Sequence, residues 1–159
     1  MCDNEKYMRR AIDIARQTSL EEKAGGPFGC VIVKDGQIIG EGANRVLAEH
    51  DPTSHAEVNA IKSACTKLNS HDLSGCTLYA TGEPCPMCYA ACCWARVDAI
   101  YFASTIHDAK EFGDFDDVPI YEAMRLDIAQ RPIKGIELLR DEMLSLWEEF
   151  RNLPSKVHY

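Results

Sequence analysis

The sequence is poor in the features that take a chain into a membrane or onto nucleic acid. Its longest uncharged apolar stretch, near residues 87–95, is far short of the ~20 residues a bilayer span requires. Basic residues are scarce: 17 Lys and Arg stand against 25 Asp and Glu, for a net charge of −8. A phosphate backbone is held by Lys and Arg, so the expected partner is a small molecule or another protein, with no membrane and no nucleic acid. No basic, then apolar, then small-residue leader opens the sequence, so secretion is not expected. There is no internal repeat and no low-complexity segment. At 159 residues, with 46% apolar and 26% charged residues, the reading is one globular domain over 1–159, which excludes disorder and coiled coil.

Cysteine is what the chain has in quantity, with eight: Cys2, Cys30, Cys65, Cys76, Cys85, Cys88, Cys92 and Cys93. Without a leader, and with pairs at helical spacing, a disulfide framework does not fit. Reduced thiols in a cytoplasmic protein do, some packed as small apolar residues and some available to a metal. Cys30, Cys65 and Cys76 lie in apolar runs, and Cys92 and Cys93 are expected in the core of a helix facing a sheet.

Hydrophobic periodicity alternates between helix and strand, which argues a layered α/β fold. Asn4 caps a helix over 5–18, with Met8, Ala11, Ile12 and Ala15 on one face. Strands over 30–33 and 37–40 flank Asp35-Gly36, a hairpin signal, and are therefore antiparallel. A helix over 55–68 turns Val58, Ile61, Ala64, Cys65 and Leu68 inward. A strand over 76–81, a helix over 86–95 and a strand over 99–103 form a right-handed parallel crossover. An Asp-rich loop is expected over 104–118, a helix over 119–130, a fifth strand over 136–139 and a last amphipathic helix over 143–152.

Two segments carry chemistry. His55-Ala56-Glu57 and Pro84-Cys85-Pro86-Met87-Cys88 each open a helix. A Cys-x-x-Cys at a helix N-terminus points two thiolates at one spot, where the dipole favours their anionic form. His55 supplies a third ligand, and three protein ligands on zinc leave one position open, the catalytic arrangement. Zn²⁺, two thiolates and a neutral imidazole sum to zero charge, a centre that acidifies water weakly. A carboxylate that takes the water's proton, Glu57, makes up the difference. The competing readings are a structural zinc with Cys92 as fourth ligand, and a redox Cys-x-x-Cys.

These residues resemble the zinc-dependent cytidine deaminase superfamily, whose signature is His-x-Glu with Pro-Cys-x-x-Cys. The resemblance runs from the first helix through Leu139. It implies a three-layer α/β/α sandwich with a five-stranded mixed sheet, one zinc per chain held by His55, Cys85 and Cys88, and hydrolytic replacement of a ring amino group by oxygen. Gly26-Pro27-Phe28-Gly29, Asn44, the run from Asp51 to Glu57 and the run from Glu83 to Cys88 are shared by its guanine deaminase and tRNA adenosine deaminase branches. Residues 108–117, ending Phe115-Asp116-Asp117, resemble the bacterial guanine deaminase branch, as do Trp94-Ala95-Arg96 and the terminal Tyr159. Two departures are Asp114, where that branch usually has glycine, and Thr81-Gly82.

The resemblance implies that guanine and water give xanthine and ammonia, with Glu57 carrying a proton from water to ring nitrogen 3 and Asp117 as a second shuttle toward the leaving amine. For Asp116 and Asp117 a solvated charge run is the other reading. Phe28 and Trp94 offer flat faces to a base, or pack as core. Asn44 reads a purine edge, or bonds its own backbone in a turn. Glu83 meets the amino group, or is a loop acid. Ala56 and Tyr159 complete the expected pocket, Tyr159 as a residue closing the site. Alternatives are a guanosine deaminase, a tRNA adenosine deaminase or an inactive zinc-binding scaffold. The resemblance further implies a homodimer in which the C-terminal helix and tail, 141–159, are exchanged between subunits; Leu144, Trp147 and Phe150 give that helix an apolar stripe suited to docking on either copy.

Overall fold

Two glycines and three alanines set the spacing of the layer that carries the site. In the computed structural model, strand β2 (Gln37–Ala43) runs beneath helix α3 (Ala56–Leu68). A Cβ built on Gly40 would lie 2.5 Å from the Ala60 carbonyl oxygen and 2.8 Å from the Ala64 backbone nitrogen, and one on Gly42 would collide with Ala56 O and Ala60 N. Ala56, Ala60 and Ala64 are accordingly the buried stripe of α3. Larger residues expected on that face, Val58, Ile61, Cys65 and Leu68, are only partly buried. Backbone lies against backbone here, and neither side can retreat. Gly42→Ala is therefore expected to cost about 1–3 kcal/mol or more and to lower zinc content with it, because α3 carries His55 at its N-cap; thermal melts and metal analysis of the same sample check both.

The structure describes residues 3–156. They fall into two units, the first reaching Val118 and the second beginning at Pro119. In the first, α1 (Asp3–Arg16) continues into a wider, π-type turn at Gln17–Glu21. It buries Tyr7, Ala11, Ile14 and Ala15, whereas Ile12, expected on that face, is exposed. Strand β1 (Gly29–Lys34) pairs antiparallel with β2 and with β3 (Thr77–Gly82), and β3 pairs parallel with β4 (Ala99–Ser104), giving the order β2-β1-β3-β4. Cys30, Ile32, Leu78 and Ala80 point to the layer of α3 and α4 (Pro86–Trp94), and Val31, Val33 and Tyr79 point to α1. This is a three-layer α/β/α arrangement. Cys92 is buried as expected, but Cys93 turns to solvent.

The short α2 (Val46–Glu49) lies between β2 and α3. Residues 104–118 are not a loop throughout. Helix α5 (Ile106–Gly113) occupies them, started by a capping box in which Thr105 accepts from the Asp108 backbone N–H and the Asp108 carboxylate accepts from the Thr105 N–H. Aspartate there is a cap rather than a loop marker.

The second unit holds α6 (Val118–Met124) from its second residue on, a single 3₁₀ turn at Ile128–Gln130 and α7 (Arg140–Arg151). The expected helix over 119–130 thus stops at Met124. The expected fifth strand is a correction too: the sheet has four strands. Ile136 and Leu138 have the alternation of a strand, but a strand exists only through its neighbour's backbone. Residues 136–139 pair with none among the described residues and are exposed.

Candidate metal centre and cavity

The two segments singled out in the sequence meet at one point. His55 is the N-cap of α3 and Cys85 the N-cap of α4, both in extended backbone, and Cys88 follows in the first turn of α4. Pro86 at the start of α4 suits a position whose N–H has no helical partner. The Cys85 and Cys88 sulfurs lie 3.6 and 3.5 Å from His55 Nδ1, and the three ligand atoms are all within 4.8 Å of one another. Tetrahedral zinc with Zn–S of about 2.3 Å and Zn–N of about 2.1 Å places ligand nitrogen and sulfur about 3.6 Å apart. The residues therefore fit the ion. A fourth protein ligand is not part of this cluster, and Cys92 lies deeper, buried among apolar residues.

The electrostatics set the two thiols apart. Cys85 is held down to about 4, chiefly by the hydrogen bond from the Cys88 thiol and then by His55, while Cys88 is pushed up by the same bond. His55 is raised, first by its bond to Cys85. Glu57, 7% exposed, sits in the first turn of α3, and burial pushes its carboxyl up.

Above the cluster is a cavity of about 340 Å³, within the usual small-molecule range of about 300–1,000 Å³. His55, Glu57 and Cys85 line it with Glu83 and Asp117. Asp117 is half-buried, and its carboxyl is raised by burial and then by the Cys85 charge. Glu83 accepts from the Ile106 N–H at 3.3 Å, which fixes it at the start of α5.

Phe28 lines the cavity and meets Phe115 edge-on, ring centroids 5.1 Å apart. Thr81 brackets Phe28, accepting from Gly29 N–H and donating to Pro27 O, and a Cβ on Gly82 would press the Phe28 ring at 3.1 Å. The Thr81-Gly82 pair is thereby explained as the seat of Phe28. Asp114 has φ +58°, a left-handed conformation that glycine or aspartate tolerates. Asn44 does what its turn reading expected, with Oδ1 accepting from Val46 N–H at 3.3 Å, and it also lines the cavity. Its Nδ2 bonds no described residue.

A polar network centred on buried Ser54 fixes the loop between Asn44 and His55. Ser54, fully buried, donates to Glu49 Oε2 at 2.7 Å and accepts from Asn59 Nδ2 at 2.9 Å, and the same Nδ2 donates to Ala43 O. Arg45 closes the ring through Glu49 and through its N–H to Ser54 O.

Two expected pocket residues are not on the cavity wall. Ala56 is buried in the core against β2, because its methyl points down the α3 stripe. Trp94 ends α4 and is 67% exposed; a helix rises about 1.5 Å per residue, so nine residues of α4 carry it to the far end from Cys85. Tyr159 lies outside the described residues. Sequence reasoning did not assign Phe115, Val46, Leu47, Pro52, Gly25 and Gly26, which complete the wall; the aromatic beside the paired acids was the signal for Phe115.

A three-ligand zinc cluster beside a buried carboxylic acid, opening on a cavity of base size, defines a zinc-dependent hydrolase. Residues 1–104 match the family model for the cytidine and deoxycytidylate deaminase zinc-binding region, and the chain belongs to that family. It is 43% identical over 157 residues to guanine deaminase of Bacillus subtilis, spanning 99% of each chain. A crystal structure of guanine deaminase from Bacillus subtilis superposes with a TM-score of 0.92 at 43% identity, covering 98% of both chains. A tRNA-specific adenosine deaminase of Aquifex aeolicus is 47% identical over 83 residues, 52% of this chain and 55% of its own.

Proposed function

We propose that the protein hydrolyses guanine to xanthine and ammonia. The observation that carries the reading is the cavity floor, where buried Glu57 adjoins the His55, Cys85 and Cys88 ligand atoms beneath the Phe28–Phe115 ring pair. Likeness over 99% of the chain favours guanine over tRNA adenosine, whose curated relatives match 52–72% of it.

His55, Cys85 and Cys88 hold the ion, which when bound supplies a Lewis acid that makes water nucleophilic near neutral pH. Glu57 takes a proton from the attacking water and delivers it to ring nitrogen 3; burial favours the protonated acid between these transfers. Asp117, on the same wall, takes the remaining proton of the attacking water from the oxygen now on carbon 2 and passes it to the amine that leaves as ammonia. Phe28 and Phe115 hold the plane of the base, and Asn44 Nδ2, its Oδ1 already engaged, donates to a purine acceptor. Glu83 lines the wall on the α5 side.

In this reading the protein acts in the cytoplasm, where its thiolates stay reduced. It works as a homodimer of single deaminase domains whose 141–159 segments are exchanged. Support comes from each unit separately: Tyr101 and Phe102 of edge strand β4 and Tyr89 and Trp94 of α4 are exposed, as are Ile133, Ile136 and Leu138 of the second unit. Ammonia release should be fastest with guanine, slower with guanosine and absent with cytosine and tRNA, and light scattering should give twice 17.8 kDa. A tRNA bearing an anticodon adenosine as best substrate would overturn the reading.

A further inference from the structure

We propose that the Lys110–Asp116 ion pair is a positioning latch that holds residues 114–117 so that Phe115 and Asp117 stand on the cavity wall; the role rests on the guanine reading above. Lys110 Nζ lies 2.7 Å from Asp116 Oδ2. The other Asp116 oxygen accepts from the Val118 N–H at 3.2 Å. One carboxylate thus ties α5 to the residue beyond Asp117, and Asp117 is bracketed between two fixed points. On the near side the Asp114 and Phe115 N–H groups bond Lys110 O and Ala109 O.

The Phe115 ring has a prepared seat. A Cβ on Gly26 would lie 2.8 Å from it and one on Gly113 2.7 Å, and Phe28 meets its edge. No side chain of residues 114–117 is fully buried; Phe115 rests on Gly113 of α5, and among the described residues Lys110–Asp116 is the ion pair that joins the segment to that helix, with His107 of α5 adding a weaker attraction on Asp116. Lys110 also offsets the Asp116 charge beside Asp117. Without it, adjacent carboxylates repel, and the half-buried Asp117 is the one with the desolvation cost to shed.

Both partners are substantially exposed, Lys110 at 54% and Asp116 at 35%. Such a pair is worth about 0.2–1 kcal/mol, up to about fivefold in a rate, and salt screens it. That exposure provides a signature that a packing role lacks. Lys110→Met should lower guanine kcat/KM by about three- to fivefold, with zinc content and Tm unchanged and faster amide exchange at Phe115 and Val118. Raising NaCl from about 0.05 to about 0.5 M should bring the wild type down toward the variant and leave Lys110→Met flat. Lys110→Arg should restore rate and salt response. A Lys110→Met protein with wild-type turnover and exchange overturns the latch, and so does a loss of turnover that tracks zinc or Tm. Exchange is read without substrate: faster exchange in Lys110→Met, with a wild type inert toward guanine, supports the latch and refutes the guanine reading alone.

Discussion

Glu57→Ala is expected to keep about one zinc per chain while ammonia release from guanine falls by about 10²–10⁴-fold, the usual yield of a positioned acid–base group. The separation of the two readouts follows from the geometry. The ligand atoms belong to His55, Cys85 and Cys88, which approach one another without Glu57. Glu57 lies two residues into the same segment, buried, with its carboxyl pushed up by that burial. A group so placed spends the reaction handling a proton, and alanine offers no substitute. Glu57→Gln should be as impaired, since the amide preserves shape but cannot accept the proton. Zinc analysis and an ammonia assay on one preparation check this, and zinc lost along with activity would make Glu57 a support of the metal instead.

Cys88→Ser is expected to do the reverse, stripping metal and activity together, with zinc after dialysis below roughly a tenth of the wild-type content, because a catalytic zinc has only three protein ligands to lose from. Cys88 is 0% exposed and sits in the first turn of α4, one turn from the N-cap Cys85. A ligand that binds the folded state alone stabilises it by about 4 kcal/mol at a thousandfold excess over Kd. The variant should therefore melt several degrees lower, and chelator-treated wild type should melt with it. A variant that retains zinc would point to another ligand, and Cys92, one turn on, would be the place to look.

The metal ligands were legible because their chemistry is local: each motif opens a helix, and a helix start needs only a few neighbouring residues to be recognised. The α3 packing face is legible only in part, for the opposite reason: Ala64 is buried as expected and Ile61, Cys65 and Leu68 pack against the core, but Ala56 and Ala60 are not among the expected residues. Val58 and Ile61 are the more apolar residues, yet the buried stripe is Ala56, Ala60 and Ala64, chosen by how closely Gly40 and Gly42 let the backbones approach. That contact joins residues 14–24 positions apart, and a hydrophobic pattern does not carry it. Trp94 was placed by residue type rather than by its distance along α4. The strand at 136–139 had the right alternation and no described partner, and pairing is not a property of four residues alone. Helix α5 is hidden by the aspartates around it and by Asp108 within it, which counts against a helix by propensity and for one in a capping box.

The contact of β2 with α3 also divides the site into a part that can be altered and a part that cannot. Gly40 and Gly42 leave no slack beneath the helix that presents His55 and Glu57, so an enlarged side chain there shifts metal and acid together. The opposite wall is built from Phe115 and Asp117 on a segment with no fully buried side chain. Directed evolution toward a bulkier or differently substituted base should therefore accumulate its changes in residues 110–117 and leave the glycine-alanine seam untouched, retooling the roof of the active site while the floor stays as it is.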